Sequence, residues 1–108
     1  MIITPSSGVA GHRVTKTLGL VKGSTIRARH LGKDVLAVFK NVVGGEIEEY
    51  TKMMGEAREQ ALDRMAAEAK EKGANAIVDL RFSTSYMMSA ASEIMAYGTA
   101  VVIENDGG

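Results

Sequence analysis

Between Glu46 and Lys72 the apolar residues Ile47, Tyr50, Met54, Ala57, Ala61, Met65 and Ala69 follow one another in steps of three and four. At about 3.6 residues per turn such steps stay on one side of a helix, so the segment predicts one long amphipathic helix. Gly44 and Gly45 stand before it and Gly73 after it, where a left-handed residue suits a helix end. Glu48–Lys52 and Glu68–Lys72 lie one turn apart, each pair contributing about 0.2–0.5 kcal/mol. Lys70 and Lys72 suit the negative end of the helix dipole. One charge, Arg58, falls on the apolar stripe.

The rest of the chain changes its period. Met1 to Thr4 is a short apolar run ended by Pro5, which reads as an edge strand because proline cannot donate to a ladder. Ser6-Ser7-Gly8 reads as a loop. From His12 to Ala28 the residues Val14, Leu18, Leu20, Val21 and Ile26 predict a strand or bent strand pair. A bulge or a close backbone approach is expected at Gly19 or Gly23. Asp34 can cap a short helix carrying Val35, Val38, Phe39 and Val42. Val78, Leu80 and Phe82 alternate with Asp79, Arg81 and Ser83, the mark of a strand with one buried face. Ser83 to Ser92 reads as a small-residue hairpin loop. Glu93 to Ile103 then carries apolar residues on both faces, and Glu104 to Gly108 is a polar tail. The pattern predicts one α/β (α+β) domain over 1–108: a small mixed or antiparallel sheet covered by the long helix and a short one.

The two-faced last strand implies a second partner for the sheet, and Ala57, Ala61 and Ala69 allow another backbone close to the helix. A homo-oligomer built through the last strand and the long helix is therefore expected.

Composition narrows the function classes. Thirteen basic and thirteen acidic residues cancel in a chain of 108, so no nucleic-acid partner is expected, since that needs a basic face. There is no cysteine, which excludes disulfides, thiolate catalysis and Cys-based zinc or iron–sulfur sites. No stretch approaches the ~20 apolar residues of a membrane span. Without the basic and apolar regions of a secretory signal, the chain is expected in the cytoplasm, with no membrane partner.

His12 and His30 are far apart and in no metal-ligand spacing. Seven methionines could suit a soft ion such as Cu(I), but Met54 and Met65 belong to the packing stripe. The adjacent Met87 and Met88 are the soft-metal candidates. Arg58 must find carboxylates or carbonyls if buried, with Asp79, Glu93 or a residue of a neighbouring subunit as candidates. The favoured reading is structural, an inter-subunit ion pair or a snorkelling side chain; the other is an anion site lining a cleft or central channel. Gly44-Gly45 reads as a hinge rather than a phosphate loop, because Glu46, Glu48 and Glu49 would repel an anion. Tyr50, Tyr97 and Gly98 read as core or interface positions. No nucleophile has a His or Asp context, so no catalytic residue is assigned, and an enzyme with a composite site between subunits is the least supported class.

Val43-Gly44-Gly45, Tyr50, Ala57-Arg58, Ala61, Gly73-Ala74-Asn75-Ala76-Ile77 and Tyr97-Gly98-Thr99-Ala100-Val101, in that order, resemble the YbjQ-like family of uncharacterised small proteins. Gly19-Leu20-Val21-Lys22-Gly23 resembles the family's early strand. The resemblance implies a dodecin-like subunit assembled as a ring, a pentamer, and brings the family's label of a heavy-metal-binding domain. With no cysteine and two scattered histidines, this sequence offers that label no ligand cluster. The reading favoured is a non-enzymatic ring-forming binding or scaffold protein whose ligand is unknown; the alternative is a protein that binds a soft or heavy metal ion.

Overall fold

The computed structural model describes residues 1–28, 45–88 and 91–106, without the side chains of 27, 28, 45–51, 87, 88 and 91. The expected short helix from Asp34 to Val42 lies outside the described residues, as do His30 and Gly44. The elements in chain order are β1 (Ile2–Ile3), β2 (His12–Ala28), α1 (Gly45–Glu71), β3 (Ala76–Met88) and β4 (Ala91–Asn105). The fold is α+β: a four-stranded mixed sheet, ordered β1-β3-β4-β2, with one long helix against it. β1 runs parallel to β3, and the other neighbouring pairs are antiparallel.

The helix ends as its sequence suggests. Gly73 has φ +87°, its amide donates to Lys70 O at 3.0 Å, and the Ala74 amide donates to Ala69 O at 3.0 Å. A left-handed residue there turns the chain back so that two otherwise orphaned carbonyls are satisfied. Asn75 then acts as a surrogate strand residue. Its side-chain amide donates to Ile103 O at 2.9 Å, and its Oδ1 accepts from the Ile103 amide at 2.7 Å.

β2 is one continuous strand, bent rather than divided. Its pairing with β4 shifts register between Val14 and Lys16 and again between Thr17 and Gly19, the second shift at a glycine with φ +101°. Gly23 has a separate role. A methyl group there would lie 2.3 Å from Ala61 O and 2.4 Å from Met65 N, so only glycine lets the helix backbone rest on the strand. The small residues of the helix stripe therefore meet the chain's own β2, where the sequence suggested the backbone of another subunit.

The core on the helix side is formed by Val21, Ile77, Ile94, Ala96 and Ala100 of the sheet with Ala57, Ala61, Met65 and Ala69 of α1. A smaller cluster of Ala76, Val78, Val101 and Ile103 packs with Val9. Alternation along β4 places this second cluster on the far face of the sheet. The two-faced apolar pattern of β4 is thus partly closed by the N-terminal segment of the same chain.

β3 departs from its expected alternation. Its register against β4 slips between Val78 and Arg81, where Asp79 adopts φ +56°. The extra residue forms a β-bulge and inverts the faces. Ile77, Leu80 and Phe82 consequently lie on the helix side, while Val78 lies on the other. The Ser83–Ser92 segment is mostly strand, not loop, because the ladder continues from Thr84↔Ile94 through Tyr86↔Ser92 to Met88↔Ala91. Threonine and tyrosine fit a pleated strand, and each paired residue adds to a ladder already begun.

Candidate binding surface

Among the described residues, His12, Arg58 and Tyr97 lie on different elements and do not form one site. Arg58 is exposed on α1 and makes no salt bridge among the described residues. The reason lies in the path of the stripe. Ala57, Ala61, Met65 and Ala69 are spaced by four, and each step of four turns about 40° past a full circle. The buried line therefore runs obliquely round the helix. Averaged over its length the line includes the direction of Arg58; beside Ala57 and Ala61 it has not yet turned that far. Asp79 sits at the β3 bulge and Glu93 pairs with Ile26 and Ser85, and neither forms a salt bridge with Arg58.

His12 begins β2, with its Nδ1 3.0 Å from Ala10 O. Among the described residues no group of three or more histidines, aspartates or glutamates is placed to hold a metal ion. Met87 and Met88 are the last residues of β3, in the ladder rather than on a loop, and their side chains lie outside the described residues. The Tyr50 side chain also lies outside them, and Gly45 is the first residue of α1. Gly98 is buried, because a methyl group there would lie 2.8 Å from Ile77 Cγ2 and 2.9 Å from Val78 O. Tyr97, its neighbour on a strand, faces the opposite side, so the pair does not line one site.

The structure does bring together a row that the sequence did not mark. Arg81, Tyr97 and Lys22 are register partners across β3, β4 and β2 on the far face, at the ~5 Å spacing of paired strands. Arg81 is anchored there, its Nη1 donating to Pro5 O at 2.9 Å and to Leu80 O at 2.7 Å. Around this row lie Thr99, Met95, Ser24 and Ser83, with Leu20 and Ile26 62% and 57% exposed on β2. On the helix side, Phe82 and Tyr86 of β3 are 42% and 76% exposed, since α1 lies mainly over β2 and β4. Leu20 and Ile26 could have been flagged from the alternation of Val21, Gly23 and Thr25, which fixes their side as the outward one. Phe82 could not, because the bulge that exposes it has no sequence signature beyond an aspartate able to take positive φ.

Together the elements define a class: a small α+β domain whose described residues form a partly apolar sheet surface and no cluster of metal-ligating groups. Its sequence places it among known proteins. The chain belongs to the YbjQ family, described as "putative heavy-metal-binding", whose model matches residues 1–104. It is 65% identical over 104 residues to a UPF0145 protein of Dehalococcoides mccartyi, covering 96% of this chain and 100% of that one. A UPF0145 protein of Methanosarcina acetivorans is 54% identical over 105 residues, covering 97% and 99% of the two chains. One of Pyrococcus abyssi is 51% identical over 106 residues, covering 98% and 93%. The fold also matches a crystal structure of a protein of unknown function from Pediococcus pentosaceus assigned to the DUF74 family. That match has a TM-score of 0.65 and 17% identity, and covers 96% of this chain and 98% of that one.

Proposed function

We propose that the protein is a non-enzymatic binding or scaffold protein that works as a homo-oligomeric ring, a pentamer as its family resemblance implies. The observation that carries this is the amount of large apolar side chain left open by one subunit: Leu20, Ile26, Phe82 and Tyr86 are each more than two-fifths exposed. Isolated exposed apolar residues are ordinary, but these four lie on the two long strands that flank β4, two on each face of the sheet. The shape gives further support. The radius of gyration is 17.9 Å and the longest extent 59 Å, against about 13 Å for the radius of a compact domain of ~100 residues.

The second reading is the one in the family's description, a bound heavy-metal ion. Its support in this chain is the seven methionines and the adjacency of Met87 and Met88. Native mass spectrometry of the purified protein tests both readings at once. A ring appears as a multiple, five-fold for the pentamer, of the 11.5 kDa chain. A metal appears as an added mass that disappears in the Met87→Ser, Met88→Ser double variant. Single chains at micromolar concentration overturn the ring. The absence of any metal adduct after incubation with Cu(I) overturns the second reading.

A further inference from the structure

The far face of the sheet carries a local surplus of positive charge in a chain that is neutral as a whole. Three successive rows of register partners lie there: Leu20–Thr99–Val78, Lys22–Tyr97–Arg81 and Ser24–Met95–Ser83. They hold two cations, a tyrosine, three aliphatic hydroxyls and no carboxylate. The next row brings Glu93, four residues and about 13 Å from Tyr97 along β4. Neither Lys22 nor Arg81 forms a salt bridge with a described residue, Asp79 of the β3 bulge included. Both cations are exposed, and Tyr97 between them is half-buried.

Arg81 is held in a way that keeps one edge of its guanidinium for a ligand. Nη1 donates to Pro5 O and Leu80 O, at 2.9 and 2.7 Å, and these two bonds use both of its hydrogens. Nε and Nη2, which present their hydrogens side by side on the planar group, have no partner among the described residues. That edge is a fork for two oxygens of one phosphate or carboxylate, and a guanidinium fixed beforehand lowers the ordering cost of binding. Lys22 complements it. Two strand spacings put about 10 Å between the two Cα atoms, and the flexible lysine stem lets its ammonium reach over Tyr97. The tyrosine ring adds apolar surface between the two charges. Two cations with no carboxylate in these rows suit a dianion, and a phosphate monoester carries about −1.5 to −2 at pH 7.

We infer that the far face of the sheet binds a phosphate monoester of an aromatic or other flat organic group. Nε and Nη2 of Arg81 grip the phosphate, Lys22 neutralises its second charge, and Tyr97 packs against the organic part. This rests on the reading of the protein as a binding protein and does not depend on the ring, because all three residues belong to one chain.

Isothermal titration calorimetry of the full chain at low salt tests it, with phenyl phosphate and inorganic phosphate as probes. Phenyl phosphate is expected to bind once per chain and several-fold more tightly than inorganic phosphate. Lys22→Gln removes an exposed ammonium, and Arg81→Lys keeps the charge but loses the fork; each is expected to weaken phenyl phosphate about tenfold. Arg58→Gln, which alters an exposed cation on α1, is expected to leave the affinity unchanged. Affinities unchanged in both Lys22→Gln and Arg81→Lys would place the anion elsewhere and overturn the inference. So would a parent protein that binds neither probe, and one that does so while native mass spectrometry still shows the ring would leave the scaffold reading standing. Equal affinities for the two probes would overturn the part given to Tyr97.

Discussion

Gly23 decides how near the helix comes to the sheet. The gap it leaves is bounded by backbone atoms, Ala61 O and Met65 N, which cannot swing aside as a side-chain tip could. Gly23→Ala is therefore expected to cost about 1–3 kcal/mol, the range of an overpacked core. Gly55 is the useful contrast. It lies within α1, where a methyl group would meet nothing within 4 Å, so Gly55→Ala should raise stability by up to ~1 kcal/mol through the unfolded chain and helix propensity. Chemical denaturation of the two variants under one condition checks both signs. The sequence marked Gly23 as a bulge or a close approach, and the structure selects the approach; composition alone could not, because the obstructing atoms belong to a helix some forty residues away.

At the scale of elements, β3 shows where reading by period succeeds and where it stops. The helix was legible almost to its ends, since its stripe is local and Gly73 closes it with local hydrogen bonds. The alternation of β3 was also visible, but it was carried straight through Asp79, and one residue of slip exchanged the faces. Asp79→Gly should hold or raise stability, while Asp79→Val should lose about 1–2 kcal/mol, because a β-branched residue resists the left-handed conformation. Thermal melts of the two variants test this. If valine is tolerated like glycine, φ at position 79 is not what the bulge depends on. The site was less legible than the fold. Arg58 looked buried only because a helix stripe with a four-residue repeat was averaged over its whole length. The row Arg81–Tyr97–Lys22 depends on strand register, which no single segment encodes.

For the whole molecule, the proposed assembly ties stability to concentration. A chain with a radius of gyration of 17.9 Å and apolar side chains exposed on both long strands that flank β4 gains stability from anything that binds only the folded form. The ring reading therefore predicts that the melting temperature rises by several degrees for each tenfold increase in protein concentration. A concentration-independent melt would mean that the subunit's stability is its own. Among the described residues no helix is long and apolar enough to cross a membrane.

The central position of β4 bears on how such a protein is made. β2 and β3 are not neighbours in the sheet, so neither has its long partner until β4, which follows both in the chain, has left the ribosome. Before that moment the described residues supply a helix and two long strands without a long strand partner, with β1 reaching only the start of β3. Sheet formation then waits for the strand made last of the four, and is completed by its insertion between two waiting ones. Two strands that wait together on one nascent chain can also wait on neighbouring chains, so a polysome carrying this message is a place where exchange of β4 between copies would compete with correct closure.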